Sequence, residues 1–368
     1  MKLSTITRWH KLDWGIIISS FFLVLISLAI LYSLELNQDS PDFSLLQRQT
    51  IAAGIGMACL WFLLFLDFRH IKDFAYILYG LGIIILLAVL LLGITARGTT
   101  GWFSIGGFHF QPVEIFKVIL IIALAKFYSA RSSINQFKTV LLSLLLILGP
   151  AVLIYLQPDL GSLMVLAVIW FGYLLVMKLK LSYILIFCSI VLLMFALSWQ
   201  FFLAPYQKSR ILTFIQPESD TAGAGYNVKQ SKIAIGSGRL WGRGLGLGTQ
   251  SSLNFLPEQE TDFIFAVICE SLGFLGGGLL ISLYSFLLWR IIRLTAFVKD
   301  EFGAFLAFGV FFWFAFQGFA NMAMNLGLAP VIGVPLPFVS YGGSSLLACL
   351  IAIGILESVC IYAGRADS

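Results

Sequence analysis

Glu114 and Lys117 stand three residues apart inside an apolar run, so on a helix they share one face. Opposite charges at membrane depth persist when they pair or when a wet cavity solvates them. A structural ion pair and the polar floor of a cavity both fit this spacing. Asp159 follows Gln157-Pro158 at a turn between two apolar runs, where it could extend the pair. Asp262 follows Thr261 at the head of another apolar run. Thr and Asp suit a helix N-terminus, whose N–H groups need acceptors. A carboxylate there can equally act as a general base at a membrane surface. The polar stretch 204–261 carries Lys208, Arg210, Lys229, Lys232, Arg239 and Arg243, interleaved with glycines from Gly223 to Gly248. Glycine lets backbone N–H groups approach a ligand closely, and neighbouring cations fit a phosphate or pyrophosphate. Surface cations beside anionic headgroups are the plainer reading of the same residues.

The elements that must position these groups are membrane helices. Hydrophobic residues make up 60% of the 368-residue chain and charged residues 11%, against about 25% in a soluble domain. Mean hydropathy is +0.96. Such a chain cannot keep its surface wet, so the bilayer is its solvent. The apolar runs are continuous rather than alternating, which argues against strands. Ten spanning segments are expected, near 14–34, 50–66, 74–94, 113–129, 138–156, 160–177, 181–203, 262–289, 303–326 and 341–362. The fold class is therefore an all-α integral membrane protein with one large loop between spans seven and eight. It reads as one polytopic domain, with seven spans in 1–203, the loop in 204–261 and three spans in 262–368. The run from Trp14 is long enough to span and lacks a small-residue cleavage site, so it reads as a retained first helix.

Lys and Arg set the topology. With the N-terminus cytoplasmic, that side collects Lys11, Arg69, Lys72, Arg131, Arg290 and Arg293 among others. The short loops of the opposite side hold Arg48 and Arg97. An even span count returns the C-terminus to the cytoplasm. The long loop, Asp262, the Gly-rich 97–112 segment and the Pro-rich 327–340 segment then all face outward. The five cysteines lie in apolar runs and read as small packed hydrophobes. His10, His70 and His109 are scattered and read as solvated residues near a surface. No Walker or Rossmann pattern occurs, and no nucleic-acid partner is implied.

Several motifs occur together in a fixed order. They are Gln157-Pro158-Asp159-Leu160-Gly161, Pro217-Glu218-Ser219-Asp220, Lys232-Ile233-Ala234-Ile235-Gly236, Phe255-Leu256-Pro257-Glu258, Thr261-Asp262-Phe263, and Gly333-Val334-Pro335-Leu336-Pro337 with Ser340-Tyr341-Gly342-Gly343. Across essentially the whole chain this resembles the SEDS family (shape, elongation, division and sporulation), and its wording is closer to the rod-shape branch than to the division branch. The resemblance implies a peptidoglycan glycosyltransferase of the bacterial cytoplasmic membrane. Such enzymes polymerise lipid II, release undecaprenyl pyrophosphate and work with a class B penicillin-binding protein. It also implies that Asp262 takes the position of the family's essential carboxylate. Glu114 and Lys117 match its charged pair, Asp159 its acidic residue after Gln-Pro, and Arg210 its arginine before the Pro-Glu-Ser-Asp motif. Gln259 and Glu260 stand where relatives often carry a basic residue or a histidine, a local departure.

The mechanism expected on this basis is inverting transfer with Asp262 as general base. Lys117, Arg210, Lys232, Arg239, Arg243 or a divalent cation, magnesium or manganese, are candidates to meet the pyrophosphate charge. A flippase for lipid-linked precursors would use the same cavity, charges and loop. A scaffold that only recruits a penicillin-binding partner is a third reading.

Overall fold

The computed structural model describes residues 10–36, 42–96, 98–105, 108–131, 136–177, 189, 208, 212–214, 223–253 and 255–363. The expected seventh span apart from Ser189, together with Arg97, Arg210 and the Pro-Glu-Ser-Asp motif, lies outside the described residues.

The chain is predominantly helical, and among the described residues six helices are long and apolar enough to cross a membrane. In chain order these are α1 (Trp14–Leu36), α3 (Phe68–Leu92), α5 (Gln136–Leu156), α9 (Ile264–Phe297), α10 (Glu301–Leu326) and α11 (Gly343–Tyr362). Three further helices coincide with expected spans. These are α2 (Ser44–Leu63), α4 (Pro112–Ser129), which carries Glu114, Lys117 and Lys126, and the shorter α6 (Leu160–Val176). Local chemistry sets their ends. Asp67, Asp159 and Asp300 each accept a backbone N–H from the first turn of α3, α6 and α10. Pro112 occupies the start of α4, where no N–H is needed.

The core lies between helices, where α2 packs on α11 and α10 packs on α4, α6 and α9. Trp313, Tyr128, Tyr173, Phe68 and Phe302 are enclosed there. At the far end of the bundle Arg290 forms a fork on Asp13, with contacts of 2.7–2.9 Å. The Asp13 N–H donates to Glu357 at 2.9 Å. The start of α1 is thereby tied to the ends of α9 and α11.

Two expectations are corrected. Strands are present: β1 (Ile94–Ala96), β2 (Thr99–Ile105) and β3 (Phe108–Phe110) form an antiparallel sheet in the Gly-rich segment. Its residues include Thr, Ile, Trp and Phe, which suit a pleated, half-buried surface. The Gln157 carbonyl takes the Thr100 N–H, and its side chain donates to Leu86, which pins the sheet to α3 and α5. The long loop is also more ordered than its glycines suggest. It contains α7 (Ala224–Ser237) and the short α8 (Thr249–Ser252).

Membrane depth also holds more carboxylates than Glu114 and Asp159. Glu270 in α9 and Glu357 in α11 are fully buried. Glu270 accepts the Gln250 and Ser251 N–H groups at 2.8 and 3.1 Å, so it caps α8 from across the fold. Close by, α9 is interrupted at Gly273, which adopts a positive φ of 68°. An open helix in hydrocarbon would strand backbone groups. Here the 239–244 segment supplies partners. Arg239 and Leu240 carbonyls accept from Phe274 and Leu275, and the N–H groups of Arg243 and Gly244 donate to Glu270 and Ser271. The fit is close enough that a Cβ at Gly242 would overlap the Ser271 carbonyl.

Candidate active site

At the other end of the bundle a cavity of about 860 Å³ opens among α2, α4, α6, α11, the sheet and the 327–342 strap. Glu114, Lys117, Asp159 and Asp262, from three separate stretches of sequence, all line it. Chain positions far apart are brought to one wet space, as the polar-floor reading requires.

Lys117 Nζ donates to Glu114 Oε1 at 2.6 Å, with both side chains buried. The i,i+3 spacing therefore makes an ion pair and a cavity floor at once. Gln317 of α10 accepts from Lys117 at 3.5 Å and from the Trp313 indole, and it donates to the Pro335 carbonyl at 3.3 Å. The Trp313 ring lies 5.4 Å from the ammonium. Glu114 Oε2 is buried with no hydrogen-bond partner. Asp159 does not extend this pair by direct contact. It accepts from the Ser162 N–H and hydroxyl at 2.9 and 2.8 Å and from Gln111 at 3.1 Å. Burial pushes its carboxyl above the usual carboxylate range, while the Ser162 hydrogen bonds and the Lys117 charge pull the other way.

Asp262 is half-buried and precedes α9, which begins at Ile264. Phe263, rather than Asp262, occupies the N-cap position of α9, and its side chain makes no capping hydrogen bond. The Asp262 backbone is instead clamped from outside. Asn321 and Asn325, one turn apart on α10, both donate to its carbonyl, at 3.1 and 2.9 Å. Asn325 Oδ1 takes the Ala266 N–H at 3.1 Å. Ser340 bonds the Thr261 carbonyl at 2.6 Å, and the Tyr341 N–H bonds Glu260. The Pro-rich strap is thus more than a stiff connection. Val334, Leu336, Phe338 and Val339 are buried, and Gln49 of α2 holds residues 340 and 342.

The two asparagines were not apparent from sequence. Their signal is a row of amides four residues apart, Gln317, Asn321 and Asn325, in a largely apolar helix. Asn325→Ala removes one of the two donors to the Asp262 carbonyl, which keeps Asn321, and one acceptor from the Ala266 N–H, which keeps the Phe263 carbonyl, so each lost hydrogen bond is worth about 0.5–1.5 kcal/mol. A thermal melt in detergent will fall, and that of Asn325→Asp, which loses the donor and buries an unpaired charge beside two carbonyls, will fall further.

The loop cations behave otherwise. Lys232 lies against Gly327 at the end of α10, and Arg239 and Arg243 sit at the Gly273 break; none lines the cavity. The loop's register with α9 holds Arg239 and Arg243 at the Gly273 break, and the cavity does not bring these loop cations together with Asp262. Arg48 and His109 line the cavity instead. Sequence reading used Arg48 for topology alone and took His109 as a solvated residue. The lining thus sets Arg48 and Lys117 against Glu114, Asp159, Glu258 and Asp262. Among the described residues no three of His, Cys, Asp and Glu converge to hold a metal ion.

Comparisons agree with this geometry. The model of the FtsW, RodA and SpoVE family, described as cell cycle proteins, matches residues 11–364. Peptidoglycan glycosyltransferase MrdB of Escherichia coli K12 is 35% identical over 356 residues, covering 96% of this chain and 95% of the relative. Stage V sporulation protein E of Bacillus subtilis 168 is 35% identical over 367 residues, covering 97% and 99%. Among solved structures, one is a chain from work on how a peptidoglycan synthase complex coordinates polymerization and crosslinking. It aligns with a TM-score of 0.79 at 32% identity, over 95% of this chain and 97% of that one. The rod shape determining protein RodA of Thermus thermophilus aligns at 0.71 and 29% identity, over 95% and 96%. Motif order, fold and cavity converge, and the chain belongs to the FtsW, RodA and SpoVE family of multi-pass membrane proteins.

Proposed function

We propose that this protein is a peptidoglycan glycosyltransferase that polymerises lipid II for cell elongation and shape. The observation that carries the reading is a single cavity holding Asp262, the Lys117–Glu114 pair and Asp159. Relatives named for this activity, matched over nearly their full length, support it. The walls suit a lipid-linked sugar. Ile51 and Ile55 line the cavity and also belong to the exposed stripe of α2 that continues through Ala58 and Phe62. A polyprenyl tail can rest on that apolar stripe while a sugar and pyrophosphate occupy the polar part.

In the reaction, Asp262 accepts the proton of the acceptor's N-acetylglucosamine 4-hydroxyl. That oxygen attacks the anomeric carbon of the donor's N-acetylmuramic acid from the face opposite the leaving group. The bond to undecaprenyl pyrophosphate breaks with inversion, and the departing oxygen keeps the electron pair. Lys117 and Arg48 are the cavity's cations for that developing charge. The chain sits in the bacterial cytoplasmic membrane with both termini inside and ten spans, so the cavity faces outward. A class B penicillin-binding protein crosslinks the product; likeness to a chain of a peptidoglycan synthase complex supports such a partner.

Purified protein given lipid II will yield glycan chains longer than one disaccharide on a denaturing gel. If reconstituted vesicles instead move lipid II between leaflets without chain growth, the flippase reading replaces this one.

A further inference from the structure

The 239–247 segment carries Leu240, Trp241, Leu245 and Leu247 on its outside, with Trp241 77% and Leu247 70% exposed. Arg239 and Arg243 are exposed between them. Four large apolar side chains turned outward together mark a surface that something covers.

Helix α9 gives a ruler for what that is. Trp289, beneath the guanidinium groups of Arg290 and Arg293, marks the hydrocarbon boundary at the far end. Counting back about 20 residues at ~1.5 Å each, one hydrocarbon thickness, reaches Cys269 and Glu270. The four backbone hydrogen bonds at the Gly273 break join the 239–244 segment to residues 270–275. The segment therefore lies at the cavity-side boundary and just beneath it. Its apolar side chains continue the exposed face of α9 directly below, formed by Phe274 (72% exposed), Leu275 and Leu279. Apolar residues interleaved with arginine at that level are the pattern of an element lying in a membrane interface.

We propose that residues 239–247 are an interfacial anchor. Leu240, Trp241, Leu245 and Leu247 dissolve among the acyl chains of the cavity-side leaflet, and Arg239 and Arg243 hold the phosphates of anionic phospholipids. The polar loop between spans seven and eight then re-enters the membrane and braces the broken turn of α9. This stands apart from the reaction above, and neither depends on the other.

The test uses the full chain in nanodiscs of phosphatidylglycerol and phosphatidylcholine, with the native cysteines replaced and a bimane fluorophore on Trp241→Cys. Phe274→Cys and Lys299→Cys serve as the lipid and water references. Nitroxide lipids labelled near the headgroup will quench position 241 about as well as position 274, and iodide will quench it several-fold less than position 299. Iodide quenching equal to that at position 299 overturns the proposal. So does protection that arises only when a partner protein chain is added, which would make the surface a protein interface. In native mass spectrometry, Arg239→Gln with Arg243→Gln will retain several-fold less phosphatidylglycerol relative to phosphatidylcholine. Unchanged retention refutes the role given to the arginines.

Discussion

Asparagine in place of Asp262 will lower lipid II polymerisation by about 10²–10⁴-fold, the usual contribution of a positioned general base. The substitution is nearly isosteric and touches the carboxylate alone. Asn321 and Asn325 anchor this residue through its backbone carbonyl, which the substitution leaves in place. Folding will therefore be almost unchanged, and the melting temperature of the purified variant is the control. A gel of labelled glycan chains, with and without divalent cation, reads the activity. Wild-type chain growth from Asp262→Asn would remove the general-base role while leaving the family assignment intact. The scaffold reading makes the opposite forecast, a silent Asp262→Asn.

The second large effect concerns the buried pair. Lys117→Met leaves Glu114 charged and uncompensated among apolar helices, a loss of about 3–5 kcal/mol for a broken buried pair. Glu114→Gln combined with Lys117→Met removes both charges, and stability will largely return. The two roles separate at this point. If Lys117 meets substrate phosphates, the stable double variant stays inactive. If the pair serves folding alone, activity returns with the melting temperature. Melts and polymerisation assays on the same three preparations decide between them.

Much of the site was legible because charge in an apolar run is conspicuous. Glu114, Lys117, Asp159 and Asp262 stand out on those grounds, and the cavity unites them. Arg48 and His109 were not legible, because near a loop a cation or imidazole looks like any solvated residue. Nor was α7. The side it buries is built from Ser231, Ala234 and Gly238. Small residues let backbones approach closely and give little hydrophobic signal. The register that carries Arg239 and Arg243 away from the cavity depends on backbone hydrogen bonds, which side-chain identity does not encode. The sheet was hidden for a related reason: strands of three to seven residues beside glycines are too short for a periodic pattern.

The interruption at Gly273 has a consequence for biogenesis. A transmembrane segment normally leaves the translocon as a finished cylinder. Here the cylinder has a gap, closed by residues made some thirty positions earlier. Because those residues emerge from the ribosome first, they can wait beside the nascent helix and complete it during insertion. Truncating or delaying that upstream piece would leave α9 entering lipid with bare amides and carbonyls, a substrate for membrane quality-control proteases rather than a mature protein.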